Sequence, residues 1–552
     1  MIDIITNNGV SLDLVPNSDF NIEISNPILD TDSIPVAWST TIQLLPTSKN
    51  RKALGWINTA MLEPTVKKMG VDIIVSGIKV MSGQLIYDSL DGGYAEYSFT
   101  QRILPSSLES EDISQNKAFE TIQIYSTEAG VKKFSDEYKL IRDNGHPSIK
   151  CPLIIIKDTE IQSWSDLEMH YANHPISFDK TMVPAVKALS LLRDILPELV
   201  ISDNILPDIE KVYLLAPYKP VISESNIGFD NEININNALP VMSKADFIKS
   251  LIHIFGASIF VDGSVLRLIN TGSILDNDSC MYLDDKISDE YSCAFEAGKN
   301  YTFSFADDSE ANSYSGNPSD DGILYANSYY DAIINNSESA DESGYISVVH
   351  KPTGDIFSFK RFSFPGLNNN RFPSECVFKN VQNINWDYAK SDERLDYSSS
   401  FKLCRCVPER FIHPNGYKDF MISPILELPS RGNERGSDAI IGIINTNQMS
   451  DCGYEIARTD INSGIEKYQD IKVNFSLRPQ MLGKYHLSIA RWAREDKQVV
   501  RTKLNIGIDE LASMRMFHKA YFKGREWLIK KIEICINSTN GIKEVSGEFI
   551  SL

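Results

Sequence analysis

Between Ser243 and Asn270 the hydrophobic period switches from helical to extended across one glycine. Phe247, Ile248, Leu251 and Phe255 fall on one face at helical spacing, which predicts a helix with that face in a core. Ser243, with Asp246 three residues on, makes a capping-box start, and Gly256 closes the helix. Two short strands around Asp262-Gly263 follow at once, the turn chemistry of a tight hairpin. A helix stripe beside a hairpin is what a domain core looks like, so Phe247, Leu251 and Phe255 are expected to be buried.

The rest of the chain is β-patterned at both ends. Ile2-Asp3-Ile4, then Val10, Leu12 and Leu14, then Phe20, Ile22 and Ile24 alternate at period two. Val36, Trp38, Thr40, Ile42 and Leu44 repeat the pattern, and Val71-Ile73-Val75, Val80, Leu85-Tyr87 and Ala95-Tyr97-Phe99 complete a meander. Near the C-terminus Ile532, Ile534 and Ile536 alternate, Asn540-Gly541 turns the chain, and Val545 and Phe549 return. Helices are expected mostly in the middle. One spans 182–196, with Pro184 in its first turn and Pro197 at its end; a shorter one runs from Ser165 and Glu168 toward His174, stapled by Trp164. The expected class is mainly β with some α, in several domains with small antiparallel β-barrels and a mixed α/β middle. Residues 1–104 are expected to form an N-terminal barrel or sandwich and 105–240 a mixed α/β domain. The helix–hairpin unit takes 241–300, an acidic polar insertion with strands 301–400, and a C-terminal β domain 401–552.

At 552 residues there is room for sizeable cores, and the hydrophobic share of 42% is a globular value. The net charge of −20 argues against broad nucleic-acid binding, which needs clustered Lys and Arg. The first 48 residues hold six acids and no Lys or Arg, so no secretory leader is expected, and no apolar run is long enough to insert in a membrane. The protein is therefore expected to be made in a cytoplasm. Two blocks stand out. Residues 303–350 hold nine acids and no Lys or Arg; residues 491–531 hold eleven Lys or Arg against five acids. The first reads as a solvated insertion, the second as a solvated face or a surface docking on an acidic neighbour. The eight cysteines are scattered, which predicts free buried thiols rather than a disulfide frame.

No chemical signature reaches useful specificity. His170 and His174 are spaced like zinc-peptidase ligands, but Tyr171 stands where the catalytic Glu belongs and Pro175 follows; they read as surface histidines. The acidic block lacks a calcium loop, and neither a nucleophile elbow nor a phosphate loop occurs. Among 74 acids no glycosidase pair can be singled out. No catalytic, cofactor-binding or metal residue is assigned, and the chain is expected not to be an enzyme.

Several stretches together resemble the tail hub proteins of bacteriophages, of the kind encoded by phages and prophages of Bacteroidetes. They are Asn21-Ile22-Glu23-Ile24-Ser25-Asn26-Pro27, Gln43 to Arg51 (Gln-Leu-Leu-Pro-Thr-Ser-Lys-Asn-Arg), the 243–270 unit, Val349-His350-Lys351-Pro352-Thr353-Gly354, and Gly524 to Ile532 (Gly-Arg-Glu-Trp-Leu-Ile-Lys-Lys-Ile). The resemblance spans the chain, and the order of the motifs carries it. It implies a homotrimeric ring at the distal end of the tail tube, with barrels of tail-tube type. The implied partners are tube protein and a central spike, fibre or tape-measure protein, and DNA passes through without specific binding. It implies a place in the virion, at the tail tip or baseplate. An acidic lumen would repel the DNA backbone, in keeping with the charge balance. The competing readings are a receptor- or glycan-binding adhesin, with Tyr325, Tyr329 and Tyr330 as contacts, and a tail-borne cell-wall hydrolase.

Overall fold

The structure, a computed structural model, describes residues 2–29, 38–55, 65–91, 93–100, 106–115, 184–202, 206–216, 232–262, 265–277, 280–306, 392–403 and 485–552, with shorter stretches between them. The protein is mainly β. Its largest sheet has fourteen strands. The order runs Ser11–Leu12, Ile2–Thr6, Lys68–Val75, Ile78–Asp91, Tyr94–Thr100, Trp38–Ser39 and Asp19–Ser25. It continues through Arg525–Asn537, Gly541–Ser551 and Lys497–Leu504 to Ile287–Glu296. Register shifts at Ile73/Ile74, Tyr87/Ser89 and Cys535/Ile536 mark bulges, which bend and twist strands. The sheet curls round one core, because the buried alternate residues of both chain ends (Ile4, Ile22, Ile73, Phe99, Ile534, Phe549) belong to a single cluster.

The two ends of the chain therefore share one sheet and one core. Sequence order separated 1–104 from 401–552, but Asp19–Ser25 pairs residue for residue with Lys531–Asn537. Asn26 secures the join: its side-chain amide donates to the Ile529 carbonyl at 2.6 Å and the Met516 carbonyl at 2.8 Å, and its Oδ1 accepts from Ile28 N–H. Alternation specifies which side chains of a strand are buried, not which strand lies beside it. The closing hairpin turns at Gly541, whose φ of +88° suits a residue without Cβ. Asn50, fully buried, holds the N-terminal meander in the same way. Its amide donates to the Asp13 and Leu45 carbonyls at 2.8 Å each, and its Oδ1 accepts from Asp13 N–H at 2.9 Å.

A second core is built from the middle of the chain. The helix Lys244–Ile254 starts as its residues predict: Ser243 Oγ accepts from Asp246 N–H at 3.0 Å and donates to the Asp246 carboxylate at 2.8 Å. Gly256 has a φ of +50°, and a Cβ there would stand 2.7 Å from the Tyr485 carbonyl oxygen. The hairpin Ala257–Asp262 and Val265–Asn270 pairs through six registers, while Gly263 lies outside the described residues. Phe247, Leu251 and Phe255 are all fully buried, each worth about 1.5–3 kcal/mol of burial. Phe247 meets Phe401 edge-on, and Phe255 meets Tyr485.

The expected helix over 182–196 starts later than expected and is preceded by a three-residue strand. Ala185–Lys187 pairs with Ile149–Lys150 on one side and Val212–Leu215 on the other, and the helix runs only Ala188–Ile195. Pro184 is thus not a first-turn residue; its carbonyl accepts from Ala216 N–H at 2.7 Å and helps to set the strand pairing. Apolar residues at 185 and 186 suit either element, and two flanking strands decide the matter.

The closing hairpin and Lys497–Leu504 form the wall between the cores. Val499, Leu528 and Ile550 face the middle core, while Val500, Ile529 and Phe549 face the curled sheet's own core.

Candidate assembly interface

The curled sheet ends differently on its two sides. One end is Ser11–Leu12, two residues long; the other is Ile287–Glu296, ten residues long. That long edge strand is positioned from both flanks. Before it, Cys280–Tyr282 pairs in parallel with Lys519–Phe522, and buried Leu283 anchors a turn through its carbonyl, which accepts from Lys286 and Ile287 N–H. Lys286 clamps the turn to Glu510 at 3.1 Å. After it, Gly298 N–H donates to the Asp496 carboxylate at 3.0 Å. Between these anchors the strand pairs only with Lys497–Leu504 among the described residues.

Every residue from Asp289 to Phe295 is exposed. Phe295 is 79% exposed and Tyr291 50%, and Tyr282 nearby is 74% exposed. Sequence reasoning did not single this strand out, because Ser-Asp-Glu-Tyr-Ser-Cys-Ala-Phe carries little hydrophobic alternation. The available signal was two aromatics at even spacing, Tyr291 and Phe295, in an otherwise polar run.

The basic block 491–531 packs directly behind this edge, and its charges are mostly paired inside the molecule. Lys530 bonds both Glu296 and Glu548, and Arg501 reaches Glu548 at 2.8 Å. Lys503 pairs with Glu544, Lys519 with Glu526, Lys531 with Glu23, and Lys497 with Glu495. Burial pushes the Glu548 carboxyl up, but the hydrogen bonds from Lys530 and Arg501 outweigh it and hold its pKa below the ordinary value. Lys523 lies over the Tyr291 ring at 4.2 Å, and its backbone N–H donates to Asp284 at 2.6 Å. The block is therefore neither a free basic patch nor a plain solvated face.

A cluster of titratable side chains lies in the interior. His486, Tyr301 and Tyr397 are at most 1% exposed. His486 Nε2 faces the Ile254 carbonyl at 2.9 Å, an acceptor only, so Nε2 carries the proton and Nδ1 accepts from the Tyr301 hydroxyl at 2.6 Å. Burial keeps both tyrosines protonated and the imidazole neutral. Sealed and internally satisfied, the cluster organises the core.

The remaining sequence candidates divide. His170, His174, Tyr329, Tyr330 and the insertion between 307 and 323 lie outside the described residues, as does the side chain of Tyr325. The three cysteines whose side chains are described are free as expected but not buried: Cys293 is exposed, and Cys280 and Cys535 are half-buried. Among the described residues no group of three His, Cys, Asp or Glu is placed to hold a metal ion, and no helix is long and apolar enough to cross a membrane.

No protein-family model matches the chain. No curated protein matches it either. Among solved structures it is similar to the 43 kDa tail protein of prophage MuSo2 from Shewanella oneidensis, at 8% identity and a TM-score of 0.31, covering 100% of this chain and 96% of that one. It is similar to the tail protein from Neisseria meningitidis, at 7% identity and a TM-score of 0.27, covering 100% and 96%. A third is the prophage tail protein gp18 from Listeria monocytogenes, at 9% identity and a TM-score of 0.21, covering 65% of this chain and 88% of that one. At TM-scores this low the likenesses carry no weight for fold or function, which rest on the chain's own residues.

Proposed function

We propose that this chain is a structural protein of a bacteriophage tail: a hub that forms a homotrimeric ring joining the distal end of the tail tube to a central spike or fibre. One observation carries the reading. The Asn21–Pro27 and Gly524–Ile532 motifs, at opposite ends of the sequence and both part of the hub resemblance, lie against each other. Ile24 pairs with Ile532, Ser25 with Lys531, and Asn26 bonds the Ile529 carbonyl. Motifs that meet in one sheet behave as one inherited unit rather than as two coincidences of turn chemistry. The role is mechanical, with no cofactor and no catalysis, and the net charge of −20 suits a lumen past which DNA slides. The protein assembles in the host cytoplasm and ends in the virion, at the tail tip or baseplate.

Light scattering and electron microscopy of the purified protein, alone and with tube protein, test this. A three-membered ring with heterologous contacts that caps tube ends is expected, weakened by salt if the 303–350 and 491–531 blocks meet between subunits. Monomer under every condition would overturn the hub. Reproducible, heat-sensitive digestion of peptidoglycan would overturn the non-enzymatic reading.

A further inference from the structure

An unpaired strand edge is a template for another strand, and proteins usually blunt it with lysine, proline or a cover. Ile287–Glu296 holds no Lys or Pro, and among the described residues no second strand covers it: Asp289–Phe295 are exposed, with only the Lys523 side chain lying over Tyr291. Its register irregularity lies between Ile287 and Tyr291, so Tyr291–Glu296 runs regular beside Glu-free Lys497–Thr502. The strand is also two-faced. Tyr291, Cys293 and Phe295 stand opposite Thr502, Val500 and Gln498; Val500 belongs to the curled sheet's core, so this row carries the core face out to solvent. Ser292, Ala294 and Glu296 make the other face, opposite Arg501, Val499 and Lys497.

Charge selects the occupant. The bases behind the strand are engaged with Glu296, Glu548, Glu544 and Glu495, while Asp289 and Glu290 stand exposed on the strand itself. A second copy of this strand would bring its own exposed Asp289 and Glu290 to the same edge and supply no base to meet them. The other end of the sheet, at two residues, is too short to fill a ten-residue edge. We infer that Ile287–Glu296 docks an extended segment of another protein, in which apolar side chains alternate with Lys or Arg, as an added strand. Backbone hydrogen bonds supply the attachment, Phe295 and the edge of Tyr291 left open beside Lys523 receive the apolar row, and Asp289 and Glu290 receive the cations.

A fluorescent decapeptide alternating Val and Lys is the probe, read by anisotropy at low salt on the full chain. The expected result is saturable binding, loss of it with a Val–Glu decapeptide, and slowed backbone hydrogen exchange confined to 289–296. Phe295→Lys and Glu290→Lys, both at exposed positions, should each weaken binding by about tenfold with an unchanged melting temperature. Equal binding of the Glu peptide, protection elsewhere, or indifference to both substitutions would overturn the inference. So would concentration-dependent protection of 289–296 without peptide, which would make a second copy the occupant. Ring formation is measured separately, so the hub and the docking strand stand or fall independently.

Discussion

The Tyr301 hydroxyl donates to His486 Nδ1 at 2.6 Å, and this buried pair governs part of the protein's response to acid. Burial pushes the imidazole's pKa down to about 3, against the pull of the Ile254 carbonyl, with His253 adding to the depression. In the unfolded chain the same group takes up a proton near its ordinary value of about 6.5. The unfolded state therefore binds more protons as the pH falls, and stability is lost from about 6.5 downward toward 3, at up to about 1.4 kcal/mol per pH unit. His253, lowered chiefly by burial, acts in the same direction. Urea melts over a pH series should show His486→Gln losing less stability on acidification than the wild type. Parallel losses would assign the effect elsewhere. Tyr301→Phe should cost about 1–3 kcal/mol at neutral pH, by leaving Nδ1 without its donor.

Leu251 is fully buried on the helix face that meets the middle core. Leu251→Ala should cost about 2–5 kcal/mol through lost burial and an unfilled cavity. Denaturant unfolding measures it, and a change below the effect of a typical surface substitution would mean that the core collapses round the site.

Asn50→Ala removes a donor pair and an acceptor from one buried spot, stranding Asp13 N–H and the Leu45 carbonyl, while the Asp13 carbonyl keeps its bond from Leu45 N–H. A loss of about 2–4 kcal/mol is expected. Asn50→Asp should rescue nothing, since a carboxylate would face two carbonyl oxygens. If the Asp variant restores stability while the Ala variant does not, volume rather than hydrogen bonding matters there.

Gly256→Ala combines a left-handed backbone with a collision, because the new Cβ would meet the Tyr485 carbonyl at 2.7 Å and Ile489 Cδ1 at 2.8 Å. A cost of about 2 kcal/mol or more should appear in thermal melts. A neutral result would mean that the segment holding Tyr485 and Ile489 shifts freely, contrary to its packing against the hairpin.

Several features were legible in the residues alone. The Ser243 cap, the Phe247–Phe255 stripe and the Gly541 turn are all where short-range chemistry puts them. Others were not. Asn26 and Asn50 stood in the sequence only as members of two motifs, yet both are buried clamps; the Ile529 carbonyl that Asn26 holds is 503 residues away. The exposed row of Tyr291, Cys293 and Phe295 was invisible for a related reason: a strand's exposure depends on whether another strand lies beside it.

What the sequence by itself determined is therefore the local grammar: where helices start and stop, where hairpins turn, and which side of each strand is apolar. These depend on atoms a few residues apart, so the chain carries the information in its own spacing. Tertiary structure alone decided that the two chain ends share one sheet and that Ala185–Lys187 is a strand. It alone decided that Lys530 spends its charge on Glu296 and Glu548, and that Ile287–Glu296 is left as an edge. Strand partners and ion pairs form between positions of any separation, because loop closure costs little more for a long loop than for a short one. The fit of whole surfaces, rather than distance along the chain, selects among them.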